Sequence, residues 1–239
     1  MGYSPSMTTQ LTAQDVTYDQ VAKMIDHSLL RPELTLNDVA EGCEVAARYQ
    51  VASATVKPAD IPFAVNALAG SGVPVSTVVG FPHGASTTRT KVFEARQCVA
   101  DGAIELDMVL NIGRMKGGDY AYVEDDIAAV VDEAGDDAIV KVIFENAYLT
   151  SDEIVAACKA TESAGAAFVK TSTGFAETGA TIEDLTLMRA SVSEAVEVKA
   201  AGGIRTLDGL LEVMTIGVTR IGATRTVGML EDYKARVES

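Results

Sequence analysis

The sequence predicts an α/β chain folded as a (β/α)8 barrel with an extra N-terminal helix. Three observations lead there. Eight short apolar runs alternate with longer helical patterns over 239 residues, a length that suits one barrel. Several runs are apolar at successive positions, as strands buried on both faces are. No run opens on G-x-G-x-x-G, the glycine turn of many doubly wound open sheets, the competing fold.

The elements follow in order. Residues 1–11 read as a disordered N-terminal tail: 1–10 are polar and lack the apolar stretch of a signal peptide. Residues 12–239 read as one domain, because no Pro/Gly/Ser-rich linker interrupts them. The extra helix covers 13–24 and leads into the first strand, 24–26, the shortest apolar run. Helix 36–49 precedes strand 52–56, and helix 61–69 stops near Gly72 before strand 75–79. Helix 87–100 stops at Gly102 before strand 103–107, and helix 120–133 precedes strand 139–143. Thr150 or Ser151, with Glu153, caps helix 151–163, which stops at Gly165 before strand 167–171. Thr181 caps helix 182–195, ahead of strand 196–200. Thr206 caps helix 207–214, Gly217 ends it, and strand 219–221 and helix 225–237 complete the chain.

Composition narrows the partners. A net charge of −15 repels nucleic acid and anionic membranes. An anionic substrate therefore needs a local positive pocket. No apolar run approaches the roughly 18 residues of a membrane span. Cys43, Cys98 and Cys158 are far apart and form no C-x-x-C, so they read as small buried hydrophobes in a reducing, cytoplasmic compartment.

Barrel chemistry collects at the C-terminal ends of the strands. The polar residues there are Asp26, His27, Lys57, His83, Asp107, Asn111, Lys141, Glu145, Lys170 and Lys199. Lysine is almost never buried unpaired. One such lysine reads equally well as half of an ion pair closing the barrel. Three in apolar strands point to an amine whose pKa is lowered by burial and by a second ammonium, the requirement for Schiff-base catalysis. Pattern alone does not choose among Lys141, Lys170 and Lys199. Alternation places Glu105 and Asp107 on one face, with Asp107 nearer the C-terminal end, as a proton shuttle or a lysine partner.

Loops after strands seven and eight are a common phosphate site in this fold. Gly202-Gly203 and Gly222-Ala223-Thr224-Arg225-Thr226 occupy them, and Thr173-Gly174 after strand six closes the cradle. His27 and His83 lack metal-ligand spacing, so neither a metal nor a cofactor is expected. Ser172 lacks the G-x-S-x-G frame of a nucleophile elbow.

From about Met24 to Leu230 the chain resembles the deoxyribose-phosphate aldolases, class I aldolases on a TIM barrel. The resemblance rests on Ile25-Asp26-His27-Ser28-Leu29-Leu30-Arg31-Pro32, Val79-Gly80-Phe81-Pro82-His83-Gly84, Glu105-Leu106-Asp107-Met108-Val109-Leu110-Asn111-Ile112-Gly113, Val140-Lys141-Val142-Ile143, Val169-Lys170-Thr171-Ser172-Thr173-Gly174-Phe175 and Val198-Lys199-Ala200-Ala201-Gly202-Gly203-Ile204-Arg205-Thr206. It implies Lys170 as the Schiff-base lysine, Lys199 as the ammonium that lowers its pKa, Asp107 in the proton relay and Asp26 in the supporting network. It also implies phosphate binding by Gly174, Gly202, Gly203 and the strand-eight loop.

The reaction implied is reversible cleavage of 2-deoxy-D-ribose 5-phosphate to acetaldehyde and D-glyceraldehyde 3-phosphate, in deoxynucleoside catabolism. The partners are then a phosphorylated sugar and an aldehyde, with a homodimer as the expected assembly. The rivals are a relative acting on a different aldehyde or sugar phosphate, and a non-catalytic sugar-phosphate-binding barrel.

This chain departs from the family pattern in four places. Thr55 stands where many relatives carry cysteine, and Lys57 precedes Pro58 where a neutral residue is more familiar. Glu145-Asn146-Ala147 replaces a Glu-Thr stretch, and Thr224-Arg225 replaces two small hydroxyl residues. Arg225 either strengthens phosphate binding, points outward, or selects a carboxylate.

Overall fold

The computed structural model describes residues 11–238. Most of the expected tail, residues 1–10, lies outside them; Leu11 is half-buried and packs against the core. Eight parallel strands close into a barrel in sequence order: β1 Ile25–Leu29, β2 Ser53–Val56, β3 Val75–Val79, β4 Glu105–Val109, β5 Ile139–Ile143, β6 Phe168–Lys170, β7 Glu197–Ala201 and β8 Arg220–Ala223. Closure comes from β8 pairing with β1, with Asp26 opposite Gly222. This excludes the open sheet. The helices are α1 Tyr18–Ala22, α2 Leu36–Tyr49, α3 Ile61–Ala67, α4 Thr88–Ala100, α5 Ile112–Lys116, α6 Tyr120–Ala134, α7 Ser151–Ser163, α8 Ile182–Ser191, α9 Leu207–Thr215 and α10 Thr226–Val237.

The apolar core fills the shell between barrel and helices. Val56, Leu106, Val142, Val198 and Ile221 from the strands meet Val39, Ile127, Ile154 and Leu210 from the helices. The caps read from sequence are in place: Thr150 accepts from the Glu153 N–H, Thr181 from Asp184 and Thr206 from Gly209. Gly102 and Gly165 follow their helices at φ 106° and 79°, values that suit a residue without Cβ.

Several boundaries differ from expectation. The helix expected over 13–24 is a 3-10 turn, Ala13–Asp15, followed by α1. Val16 and Thr17 are extended because each half has its own capping box, Thr12 with Asp15 and Thr17 with Gln20. Strand β1 runs on to Leu29, since pairing with β2 and β8 overrides its polar side chains. Helix α5, capped by Asn111, is five residues long, too short to leave a periodic signal. Helix α8 stops at Ser191: Val192 is extended, and the Arg189 guanidinium donates to the carbonyls of Val192, Ser193 and Val196. Helix α10 begins one residue after Arg225, which is its N-cap.

Candidate active site

Lys170 ends β6, and Lys199 lies directly opposite it on β7. Alternation turns both side chains into the barrel, where they are 3% and 1% exposed. Asp107 of β4 receives them on a single oxygen: Lys170 Nζ is 2.6 Å and Lys199 Nζ 2.7 Å from Oδ2. Lys141 of β5 donates to the other oxygen, Oδ1, at 3.0 Å.

A second carboxylate layer supports this one. Asp26 meets Lys199 at 2.5 Å and Lys141 at 3.4 Å, and it accepts from Ser53 Oγ at 2.7 Å. Glu105 meets Lys141 at 2.6 Å. Arg220 closes the layer by pairing with Asp26 and, at 3.0 Å, with Glu105 Oε1. The Phe168 ring lies 5.9 Å from Lys141 Nζ and 5.8 Å from the Arg220 guanidinium.

The titration of these groups follows from burial and neighbours. Burial pushes Lys170 down to about 8, and the charges on Lys199 and Lys141 act in the same sense against the raising influence of Asp107. Burial alone would raise Asp107, but Lys141, Lys170 and Lys199 together hold it well below the usual carboxylate range. Asp26 is likewise raised by burial and, on balance, lowered by Lys141, Lys199 and Arg220. Lys141 moves the other way: burial lowers it, yet Asp107, Asp26 and Glu105 raise it further. Lys141 is thus a permanent cation, whereas Lys170 is brought down into the range of an accessible neutral amine.

Above the pair lies a cavity of about 160 Å³. Lys170, Lys199 and Asp26 form its floor, and Thr173, Gly174, Gly202, Gly203 and Thr224 contribute to its rim. Gly202 has φ 75°, and a Cβ there would stand 2.9 Å from the Gly179 Cα, so these loops pack at a distance only glycine permits. The Thr173 hydroxyl and N–H both donate to Glu145, a buried carboxylate, so Thr173 shapes the turn rather than offering free donors. Arg225 is exposed and absent from the cavity lining. Arg31 and Arg205 line it instead.

Other polar residues lie apart from the lysines. His27 accepts from or donates to Thr226 Oγ1 at 2.8 Å, and burial pushes its pKa down to about 4. Lys57 pairs with Asp60 at 3.2 Å, and Glu145 holds the β6 loop. His83 borders a larger groove of about 580 Å³ beside α4, which contains none of the lysines. The three cysteines are buried, and burial raises their thiols to about 11 or 12. Sequence pattern alone gives no role to Arg220, Ser53, Arg31 or Arg205. An arginine inside the last apolar run is the one visible signal among them.

The chain matches the sequence profile of the DeoC/LacD family aldolases over residues 16–230. It belongs to that family. A deoxyribose-phosphate aldolase of Clostridium perfringens strain 13 is 48% identical over 212 residues, 89% of this chain and 95% of the relative. One from Bacillus mycoides is 47% identical over 220 residues, 92% of this chain and 99% of the relative. The solved deoxyribose phosphate aldolase of Aeropyrum pernix superposes with a TM-score of 0.85 at 28% identity, covering 92% of this chain and 93% of its own. The family match extends across all eight strands, so the lysine network sits within a shared aldolase barrel.

Proposed function

We propose that this chain is a deoxyribose-phosphate aldolase, a lyase that cleaves 2-deoxy-D-ribose 5-phosphate to acetaldehyde and D-glyceraldehyde 3-phosphate. The observation that carries the reading is the pairing of Lys170 and Lys199 on one oxygen of Asp107. Three carboxylates, Asp26, Glu105 and Asp107, face four cationic side chains, Lys141, Lys170, Lys199 and Arg220. The cluster reaches charge balance when Lys170 gives up its proton, which is the state a nucleophile needs.

Neutral Lys170 Nζ adds to the open-chain C1 carbonyl, and loss of water leaves an iminium. The electron pair of the C2–C3 bond then flows into the iminium as the C3 hydroxyl loses its proton. Asp107, ionised at neutral pH, takes that proton directly or through a water. D-glyceraldehyde 3-phosphate departs. The enamine is protonated at C2 and hydrolysed, which releases acetaldehyde and restores the amine.

Lys199 remains the ammonium beside Lys170, and Asp26 holds Lys199 in place. Gly174, Gly202, Gly203 and Thr224 receive the phosphate, with Arg31 and Arg205 supplying positive charge that opposes the global −15. The exposed position of Arg225 removes the reason to expect a carboxylate-bearing substrate. The same reading carries a cytoplasmic homo-oligomer, and the Aeropyrum pernix relative is described as tetrameric. Among the described residues, no helix is long and apolar enough to cross a membrane.

A retro-aldol panel tests the substrate. Purified protein given 2-deoxy-D-ribose 5-phosphate releases acetaldehyde, and unphosphorylated deoxyribose or other sugar phosphates react at least about tenfold more slowly. Turnover of another substrate in preference, or none of any, contradicts the proposal.

A further inference from the structure

Several buried side-chain oxygens have no hydrogen-bond partner among the described residues, and Thr55 Oγ1 is the one of them that lines the cavity of Lys170. Ser53, two residues earlier on β2, points into the barrel and donates to Asp26. Thr55 shares that face, one step nearer the mouth. It is 2% exposed. A buried hydroxyl without a partner is destabilising, and a valine of nearly the same shape would avoid that cost. The hydroxyl therefore fits a role toward a ligand better than a role in folding.

The barrel order places β2 diametrically across from β6. Thr55 thus faces Lys170 over the width of the cavity. A substrate bound covalently at C1 to Lys170, with its phosphate among the β6, β7 and β8 loops, lays its middle carbons across this gap. The C3 oxygen belongs to the charged cluster around Asp107. The C4 hydroxyl is neutral and has no assigned partner.

We propose that Thr55 is a specificity-determining residue whose hydroxyl hydrogen-bonds the C4 hydroxyl of the sugar, which is the C2 hydroxyl of the glyceraldehyde phosphate product. This rests on the aldolase reading above. Thr55 selects phosphorylated aldehydes that carry a hydroxyl next to the carbonyl over those that do not. A site built to pair a substrate hydroxyl disfavours the analogue lacking it, because its own polar group is then left unpaired.

The test runs the reaction in the direction of synthesis, with acetaldehyde as donor and two acceptors. One is D-glyceraldehyde 3-phosphate. The other is 3-oxopropyl phosphate, the same aldehyde without the C2 hydroxyl. In Thr55→Val, kcat/KM for the hydroxylated acceptor falls about tenfold, the scale of one neutral hydrogen bond. For the other acceptor it changes by about twofold or less, so the ratio between them collapses. Thr55→Ser restores the ratio. Thr55→Ala, smaller and also without the hydroxyl, shows the same collapse, and Thr55→Val unfolds at a temperature equal to or above that of the parent.

An unchanged ratio, or an equal fall for both acceptors, overturns the proposal. Borohydride trapping of acetaldehyde in the unmodified protein separates the two layers. A missing adduct on Lys170 defeats the aldolase reading, whereas an adduct together with an unchanged ratio defeats the role of Thr55 alone.

Discussion

Asp107 binds three lysines with two oxygen atoms, and this arithmetic governs the chemistry of the site. Lys141 owns Oδ1, so Lys170 and Lys199 must share Oδ2. Burial is the main pressure on Lys170, and the Lys199 ammonium held on the same oxygen adds to it against the raising influence of Asp107. Imine formation should therefore rise with pH through a midpoint near the value of about 8 to which Lys170 is pushed. The sign is that of an amine reacting in its neutral form: protonated and inert below, free and reactive above. Lys199→Met removes the neighbouring charge, so the midpoint moves to higher pH. Trapping at neutral pH then slows about tenfold for every pH step of one by which the midpoint rises, and a rate-against-pH series on both proteins measures it. Lys170, Lys199 and Asp107 were legible because charged residues interrupt apolar strands. Arg220, Ser53 and Thr55 were less so. Their meaning depends on β8 and β2 flanking β1, contacts formed by residues up to 194 positions apart.

At the scale of elements, a second buried ion pair fixes the wall beside β4. Lys91 of α4 meets Asp126 of α6 at 2.6 Å, with both side chains fully buried. The same ammonium donates to the Val109 carbonyl at 2.8 Å, two residues beyond Asp107, and Thr88 donates to Asp126 at 2.7 Å. Breaking such a pair strands a buried charge, so Asp126→Ala should destabilise the fold by about 3–5 kcal/mol, whereas Lys91→Met with Asp126→Leu should recover most of that loss. Urea unfolding midpoints of the single and double variants check it, and a double variant no more stable than the single one contradicts it. The strands and long helices were readable because two-sided burial and capping threonines both mark the chain locally. The break at Val16 and the short α5 were not. A second cap inside one apolar pattern and a five-residue helix are invisible to a periodicity that needs several turns.

The whole molecule separates stability from chemistry by layer. Between barrel and helices the packing is apolar; inside the barrel three carboxylates and four cations form a largely buried network whose top edge opens into the cavity. That network carries one proton more than charge balance needs, and burial with two cationic neighbours makes Lys170 the amine that releases it. Acetaldehyde with borohydride tests it most directly, by fixing any imine as a stable ethyl amine. Peptide mass mapping should find the ethyl group on Lys170, with Lys141 and Lys199 unmodified. An ethyl group on Lys199 or Lys141, or a folded protein that takes up none, would overturn Lys170 as the nucleophile.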